Sequence, residues 1–457
     1  MTFDDQTHTG CEDHAITRRS LLRRGAGRAV PLPVEALEGL AGVDTSHGMT
    51  RRQILERGVG LWVACAALGS MGTKELIEAA QADAAASPAG RILVSLYLDG
   101  GNDGLNTLVP LTDPRYAPLR GGLAIAPETT IALPDSADFG WHPALGGLSG
   151  LYNQGLVSVL PAVDYPEPDG SHFSSSAYWR RGIVGPTRTT SGWLGRTLEE
   201  LGAKRNPLQG ISVDWSPDPV LASHRAPTAT VHDPGSVGFW MPGVWERNFT
   251  EAYRQAARGG RPSAGLAAAR QAYNNAFHVQ DKLAPLAKQK GRAGYPDTDL
   301  GKKLSGLARI LGAGFGTRVA SLSIGGFDTH DDQPDDHRRL LGDLGSSLAA
   351  WQADLQARGI SDRVMTLVWS EFGRRPQVND GLGTDHGAGG LLLLVGDHAN
   401  GGIRSEFPGL GSLDPNKNLR VTTDFRHVYA TLLESWLGVE AARVLPGIGP
   451  ERLPILR

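Results

Sequence analysis

Cysteine is nearly absent from this sequence, which has two cysteines in 457 residues. Cys11 and Cys65 both precede residue 90. The rest of the chain can therefore form no disulfide within itself, and it offers no thiolate as a nucleophile or a metal ligand. Any metal bound there must be held by carboxylate and imidazole groups.

A strong net charge and a long apolar run are also lacking. The formal net charge is −3, and no basic run follows the first 90 residues, which argues against a nucleic-acid partner or a membrane surface. No apolar stretch is long enough to cross a bilayer, so we expect no transmembrane span in the mature chain. The length, with 40% hydrophobic residues and 60 glycines, suits one large loop-rich α/β domain or two ordinary ones.

Residues 1–90 have the pattern of a leader rather than of a folded domain. Twin arginines occur at Arg18-Arg19 and at Arg51-Arg52, and the short apolar segment Val59–Met71 follows the second pair. This layout predicts a twin-arginine signal, with the twin-arginine export machinery as a partner. We expect residues 1–90 to be removed or disordered and the protein to be exported, whether periplasmic, cell-surface or extracellular. The alternative is an arginine-rich tail that arose by chance.

Two short apolar runs near the C-terminal end, Val364–Trp369 and Leu391–Val395, are bounded by glycine or charged residues. They lack the spacing of an amphipathic helix, which predicts two buried parallel strands. Polar residues stand after the first run and just before the second: Ser370, Glu371 and Arg374, then Asp385 and His386.

Two further predicted strands also run into acidic residues. Arg91–Leu98 leads to Asp99, and Arg318–Ile324 leads through two glycines to Asp328 and His330. Ligands in open α/β sheets bind at the carboxyl ends of the strands, so we expect these groups to meet at one edge of a sheet.

The remaining signals predict a mixture of strands, helices and loops. Ser171, a favoured helix cap, is expected to precede a helix that starts near His172. Residues 187–294 are interpreted as an insertion or cap over the site. The other predicted elements are strands Leu156–Val163 and Ile211–Trp215, a loop over Trp215–Pro242, and helices Gly192–Leu201, Ala264–Lys288, Thr298–Gly314, Pro334–Arg358 and Asp424–Leu437.

An ordered set of motifs resembles the DUF1501 family, exported bacterial proteins that usually carry twin-arginine signals. The motifs are LYLDGGNDG, SHF separated by five residues from Trp179, GGFDTHDDQ, VWSEFGRR, GTDHGAGGLLLLVGD and TTDFRHVYATLLESWLG. That family is similar to the alkaline phosphatase superfamily. The resemblance implies one alkaline phosphatase-like α/β domain over residues 91–457, with a central, mostly parallel sheet sandwiched between helices. It also implies one or two divalent metals (Zn, Mn, Mg or Ca) at the carboxyl edge of the sheet.

The resemblance also implies roles for individual residues. Ser171 is similar to the superfamily's nucleophile or phosphate-contacting hydroxyl at a helix start. Asp385 is a ligand or orients His386. Apart from the resemblance, the residue type indicates that Arg374 and Arg375 could hold an anionic oxygen bidentately. The implied metal ligands are Asp99, Asp328, His330, Glu371 and His386.

Phe372 departs from the superfamily pattern because a histidine is expected beside Glu371. This weakens or removes a second metal site.

The chain also lacks the sulfatase sequence of Cys or Ser followed by x-Pro-x-Arg. The predicted function is an exported metal-dependent hydrolase of phosphate-type esters, with sulfate esters as a further substrate class. It would act on a small anionic ester with a Ser or metal-bound water nucleophile. The alternative is a non-catalytic, metal-stabilised binding or scaffold protein on a degenerate hydrolase fold.

A purely structural interpretation remains open for each of these residues. Acids at strand ends often cap helices, Ser171 could be a plain cap, and Arg374 with Arg375 could be a solvated pair. His172 is expected to support the site or to pack rather than to bind metal.

Overall fold

A computed structural model describes residues 90–202, 206–232 and 294–457, together with 63–64, 279, 282–286, 288–289 and 291. The predicted twin arginines, most of the leader and most of the predicted helix Ala264–Lys288 lie outside these residues. Residues 282–286, at the end of that predicted helix, are helical.

A ten-stranded sheet forms the centre of the molecule, in the order β1-β8-β7-β9-β2-β10-β13-β6-β14 with β15 paired to β6. Two small sheets, β11-β12 and β3-β5-β4, lie beside it. The strands are β1 Val63–Ala64, β2 Ile92–Asp99, β3 Leu108–Pro110, β4 Ile131–Leu133, β5 Ser136–Trp141, β6 Val157–Asp164, β7 Gly210–Ser212, β8 Thr228–Thr230, β9 Val319–Gly325, β10 Val364–Trp369, β11 Arg374–Val378, β12 Thr384–His386, β13 Gly390–Val395, β14 Gly402–Ile403 and β15 Thr423–Asp424.

Most neighbouring strands of the central sheet run parallel, from β8 across β7, β9 and β2 to β10. The prediction that Val364–Trp369 and Leu391–Val395 are parallel to each other is wrong, because β10 and β13 pair antiparallel. The 20 residues between them form the small β11-β12 hairpin and no crossover helix, and a parallel pair needs such a crossover. The reversal brings the residues before β13 to the same edge as the residues after β10.

The described part of the predicted insertion contributes to the central sheet. β7 pairs with β9 and β8 pairs with β7, so both belong to the core rather than to a cap over the site. β7 ends at Ser212, earlier than predicted, and the stretch predicted as a loop contains β8 and the 3-10 turn Pro219–Leu221. β1 falls within the apolar part of the predicted leader and pairs with β8.

Helices cover both faces of the sheet. One face of β2 presents Val94, Leu96 and Leu98 to one hydrophobic core, and the other face presents Leu93 and Tyr97 to a second core. This confirms the predicted α/β class, with a mostly parallel sheet sandwiched between helices. The helices are α1 Gly104–Thr107, α2 Tyr116–Arg120, α3 Gly146–Asn153, α4 His172–Arg181, α5 Trp193–Glu200, α6 Asp299–Gly312, α7 Gln333–Ala357, α8 Phe425–Thr431, the π-turn Leu432–Leu437 and α9 Ala441–Val444.

The bounds of the predicted helices agree closely with those of the observed helices. The predicted helices at 192–201, 298–314 and 334–358 correspond to α5, α6 and α7 within one or two residues at each end. The predicted helix at 424–437 begins as α8, with Asp424 as its cap, and ends in the π-turn. None of the helices in the described ranges is both long and apolar enough to cross a membrane.

Candidate metal centre

Strand ends from distant parts of the sequence meet at one edge of the central sheet. Asp99 at the end of β2 pairs with Gly325 at the end of β9, and Asp328 follows three residues later. Trp369 at the end of β10 pairs with Tyr97, which brings Glu371 to the same edge. The antiparallel β13 begins at this edge, so His386 lies there as well. The predicted convergence therefore occurs, with one strand reversed.

Asp328 lies at the centre of the polar cluster. Its Oδ1 is 3.0 Å from His330 Nε2, 3.1 Å from His386 Nε2 and 2.7 Å from Arg374 Nη2. Its other oxygen, Oδ2, is 3.5 Å from His172 Nε2. One carboxylate thus faces three imidazoles and one guanidinium.

Each of these three imidazoles is held through its Nδ1 atom. His172 Nδ1 is 2.7 Å from Glu371 Oε1, and His386 Nδ1 is 2.8 Å from the carbonyl oxygen of Gly170. His330 Nδ1 is 3.4 Å from Asp385 Oδ1. Such contacts fix the ring orientation and leave Nε2 to face the centre, as is usual for histidines that bind metals.

These donors fit a divalent metal. Ligand atoms of His172, Asp328 and His386 all lie within 4.8 Å of one another. Nε2 of His330 is 2.9 Å from Nε2 of His386, which places a third imidazole next to the group. We expected His172 to support the site or to pack, but the structure includes it in the group that could bind a metal. The signal in the sequence was its position at the start of a helix, directly after Ser171.

The protonation of these groups is set by burial and by Asp328. Burial disfavours the charged form of His172, but its bonds to Asp328 and Glu371 outweigh this and raise its pKa to about 9. The pKa of Asp328 is held far below its usual range, despite burial, by the three histidines and the Arg374 charge. Burial and Arg374 lower the pKa of His386 in spite of Asp328. His386 is therefore neutral near pH 7, the form that binds metal, whereas His172 must lose its Nε2 proton when a metal binds.

Glu371 is fully buried, and backbone groups occupy its oxygens. It accepts hydrogen bonds from the N–H groups of Gly100 and Gly101, at 3.1 and 3.0 Å, in addition to its contact with His172. Burial raises the pKa of Glu371, but the bond and charge of His172 outweigh it, and the net pKa is lowered. The geometry therefore favours Glu371 as the group that orients His172 over a direct ligand.

Phe372 is buried beside the rings of His172 and His386, which also contact each other with centroids 4.4 Å apart. Its ring centroid lies 4.9 Å from that of His172 and 4.6 Å from that of His386. A hydrocarbon ring stands where the superfamily pattern expects a second-metal histidine.

Asp99 lies at the same edge but outside the three-residue group. Its Oδ1 accepts a hydrogen bond of 2.9 Å from the hydroxyl of Tyr97. Burial and the nearby negative charge of Glu371 raise the pKa of its carboxyl. The Asp99 carboxylate is thus engaged by Tyr97 and does not belong to the group of residues that could hold a metal together.

Arg374 is buried, and its guanidinium is engaged in the fold. It donates 2.8 and 2.7 Å hydrogen bonds to the carbonyl oxygens of Gly101 and Thr384, another to Gly100, and one to Asp328. These bonds connect the loops after β2, β9 and β10. The geometry favours a structural and electrostatic role, and it opposes our expectation that Arg374 holds a substrate oxygen.

Asp385 orients His330 rather than His386. Asn379 Nδ2 also donates to Asp385 Oδ1, at 3.2 Å. The hydrogen bond with His330 is the main cause that lowers the pKa of Asp385 to about 2. The sequence predicted that Asp385 would be a metal ligand or would orient His386. Its contact with His330 matches neither role.

Ser171 occupies the cap position before α4, as predicted, but its side chain makes no capping hydrogen bond. Its N–H donates to Asp169 Oδ1 at 3.0 Å, and the preceding carbonyl, that of Gly170, contacts His386. The hydroxyl of Ser171 thus stands at a helix N-terminus beside the cluster and is not used as a cap. This position suits a nucleophile that the helix dipole would assist.

The fold and this cluster define an α/β protein with a candidate metal centre at the carboxyl edge of its sheet. The chain belongs to the family described as "Protein of unknown function (DUF1501)", whose sequence model matches residues 161–444. No curated protein matches the chain in sequence.

Two solved structures resemble the fold at low identity. A sulfatase from Pseudoalteromonas sp. is 13% identical, with 83% of this chain and 73% of that chain covered and a TM-score of 0.31. A phosphonate monoester hydrolase of Agrobacterium radiobacter is 12% identical. The match covers 79% of this chain and 78% of that chain, with a TM-score of 0.29. Both TM-scores are low, so these similarities carry no argument about activity.

Proposed function

We propose that this chain is an exported, metal-dependent hydrolase of phosphate-type esters, with sulfate esters as a further substrate class. The observation that carries the proposal is the convergence of three imidazole Nε2 atoms on Asp328 while each Nδ1 atom is held by a carboxylate or a carbonyl. A polar cluster that only stabilised the fold would not need to present the same nitrogen of every ring to one point.

His172, Asp328 and His386 would hold the metal, with His330 as a further imidazole beside them. This donor set favours Zn²⁺ over Mg²⁺ and Ca²⁺, which prefer oxygen ligands; Mn²⁺ lies between them. When bound, such a metal lowers the pKa of a hydroxyl nucleophile and stabilises the charge on the transferring group.

The remaining residues would position the reacting groups. Ser171, or a water molecule in its place, is the proposed nucleophile, and the N-terminus of α4 would favour the negative charge of a small anionic ester. Glu371 would keep Nε2 of His172 directed at the centre, and Arg374 would hold the loops that carry Asp328.

Export through the twin-arginine pathway remains part of this proposal. It rests on the paired arginines and the short apolar segment that follows them. A protein with buried histidines arranged for a metal suits a route that carries folded proteins.

A second candidate is a metal-stabilised binding or scaffold protein without catalysis. The buried ring of Phe372 beside His172 and His386 favours it, because a hydrocarbon fills the place that the resemblance assigns to a second metal ligand. Phe372→His separates the candidates: a gain in metal content and in hydrolysis supports the hydrolase, whereas a gain in metal without hydrolysis supports the scaffold.

The direct test is an assay of the mature protein loaded with Zn, Mn, Mg or Ca, against aryl phosphate mono- and diesters and an aryl sulfate. We expect turnover with at least one metal and its loss in His386→Ala. Absence of turnover under every condition would overturn the hydrolase proposal in favour of the scaffold.

A further inference from the structure

A cavity of about 310 Å³ lies between the start of α7 and the segment that follows α2. This volume is at the lower end of the range for small-molecule sites. Among the described residues, no member of the group that could hold a metal lines the cavity. The proposed hydrolysis therefore makes no use of it.

Gln333, the first residue of α7, connects the wall of the cavity to the metal centre. Its Oε1 accepts hydrogen bonds of 3.0 and 2.7 Å from the hydroxyls of Thr329 and Thr384. Both threonines lie within two residues of a histidine of the centre. Nε2 of Gln333 donates to the buried carboxylate of Asp103. Both ends of the amide are thus engaged in the fold, and this residue separates two sites without serving either as a ligand.

His142 provides a hydrogen-bond donor on the wall of the cavity. The residue is 7% exposed, and its Nδ1 accepts a 3.0 Å hydrogen bond from the N–H of Ala144. In the neutral ring the proton is therefore on Nε2. This Nε2 has no hydrogen-bond partner among the described residues and is not one of their enclosed unpaired atoms, so it reaches the accessible surface. The surface that His142 lines is that of the cavity.

The two histidines of the cavity are uncharged. Burial lowers the pKa of His142 to about 4, and it lowers the pKa of His337 to about 4 as well. Their rings meet edge to face, with centroids 5.8 Å apart. Nε2 of His337 lies 3.0 Å from Oδ1 of Asn102, which fixes the second ring. Near pH 7 the wall thus presents the N–H donor of His142 beside a neutral ring.

The remaining lining is mainly apolar and adds no net charge. Among the described residues that line the cavity, Arg338 and Asp335 carry the charges, and they form an ion pair of 2.8 Å with each other. Apolar surface comes from one short segment and two prolines: Leu123, Ala124, Ile125, Ala126, Pro143 and Pro334. A charged ligand would lose hydration here without an unpaired opposite charge to compensate.

We propose that this cavity is a ligand site separate from the metal centre, and that it binds a small, uncharged, mainly apolar molecule with one hydrogen-bond-accepting oxygen, as in a phenol. The oxygen would accept the Nε2–H of His142, and the apolar part would pack against the aliphatic and proline side chains. A ligand without such an oxygen would bind more weakly, because it would displace water from this N–H and leave it without a partner.

The test compares two probes of similar size, p-fluorophenol and p-fluorotoluene, in fluorine NMR titrations of the purified protein with and without added zinc. We expect p-fluorophenol to bind about fivefold more tightly, because it alone supplies an acceptor to His142. The affinities should not depend on zinc, since no residue of the metal-binding group in the described ranges lines the cavity.

His142→Asn should abolish the preference for the phenol. Asparagine keeps an acceptor for the N–H of Ala144 but lacks the Nε2 atom, so the variant should retain the fold. His398→Asn is the matched control, because this half-buried histidine follows the end of β13, at the edge of the sheet opposite the metal centre. Ala124→Trp, which places an indole on the cavity wall, should weaken the binding of both probes.

Equal affinities of the two probes in the wild-type protein would overturn the inference, as would a failure of both to bind. A preference that survives in His142→Asn, or is lost equally in His398→Asn, would also contradict it. Binding that requires zinc would place the phenol at the metal centre instead. None of these results bears on metal content or ester hydrolysis, so the proposed function stands or falls separately.

Discussion

Nδ1 of His172 lies 2.7 Å from Oε1 of Glu371, across the edge of the sheet between α4 and the end of β10. Glu371 is buried and also receives the backbone N–H groups of Gly100 and Gly101. The orientation of one imidazole is therefore tied to three segments that are distant in the sequence. We expect this contact to determine how well the centre binds metal.

Glu371→Gln tests that expectation. The amide keeps the shape of the side chain but loses the charge that holds the Nδ1 proton of His172. We expect metal affinity to fall by about 10- to 100-fold, as for other groups that orient metal-binding histidines. Competition with a chromogenic chelator measures the affinity, and Glu440→Gln on the exposed surface is the control. Unchanged affinity would mean that His172 does not bind the metal.

Ser171→Ala should separate catalysis from folding. The Ser171 side chain makes no capping hydrogen bond, so the substitution should cost well under the roughly 1 kcal/mol of a lost cap. If Ser171 is the nucleophile, turnover of an aryl phosphate should fall by orders of magnitude while metal content and Tm stay close to those of wild type. Retained turnover would leave water as the nucleophile.

The pH dependence of stability should reveal His172 in the metal-free protein. Its folded pKa of about 9 exceeds the usual unfolded value of about 6.5, so protonated His172 stabilises the fold fully below pH 6.5. This contribution, up to about 3 kcal/mol, is lost as the pH rises through 9. The difference in free energy of unfolding between wild type and His172→Gln should therefore shrink from pH 6.5 to 9. A constant difference across this range, in urea titrations, would contradict the raised pKa.

Export should depend on the second pair of arginines. Replacing Arg51 and Arg52 by lysine is expected to leave the protein in the cytoplasm, because the apolar segment follows that pair. Immunoblots of cell fractions would show the location. Should the double change at Arg18 and Arg19 block export instead, the first pair is the signal, and export that survives both changes would exclude the pathway.

The sequence was sufficient to predict the strands that carry the site, because acids and histidines after buried apolar runs are a local signal. Asp328, His330, Glu371 and His386 are all at the predicted edge. The direction of β13 could not be read this way, since a short buried strand has the same apolar pattern whether it runs parallel or antiparallel.

Side-chain roles were harder to predict than positions. Arg374 has the residue type of an anion ligand, but its hydrogen bonds to Gly101 and Thr384 depend on loops that meet only in three dimensions. His172 was expected to support the site or to pack because its sequence neighbours give no sign of Asp328, which lies 156 residues further along the chain. Tertiary contacts determine the roles of Arg374 and His172, and a sequence alone does not show those contacts.

The metal content of the purified mature protein tests the central claim most directly. After equilibration with Zn, Mn, Mg or Ca and removal of the excess, elemental analysis should find about one metal per chain for at least one of these ions. His386→Ala and Asp328→Ala should lose it, while His224→Ala, a change on the exposed surface, should retain it. Removal of the metal by a chelator should also lower Tm, since a ligand that binds only the folded state stabilises it. Wild-type protein without stoichiometric metal, or a metal retained in both His386→Ala and Asp328→Ala, would contradict the account.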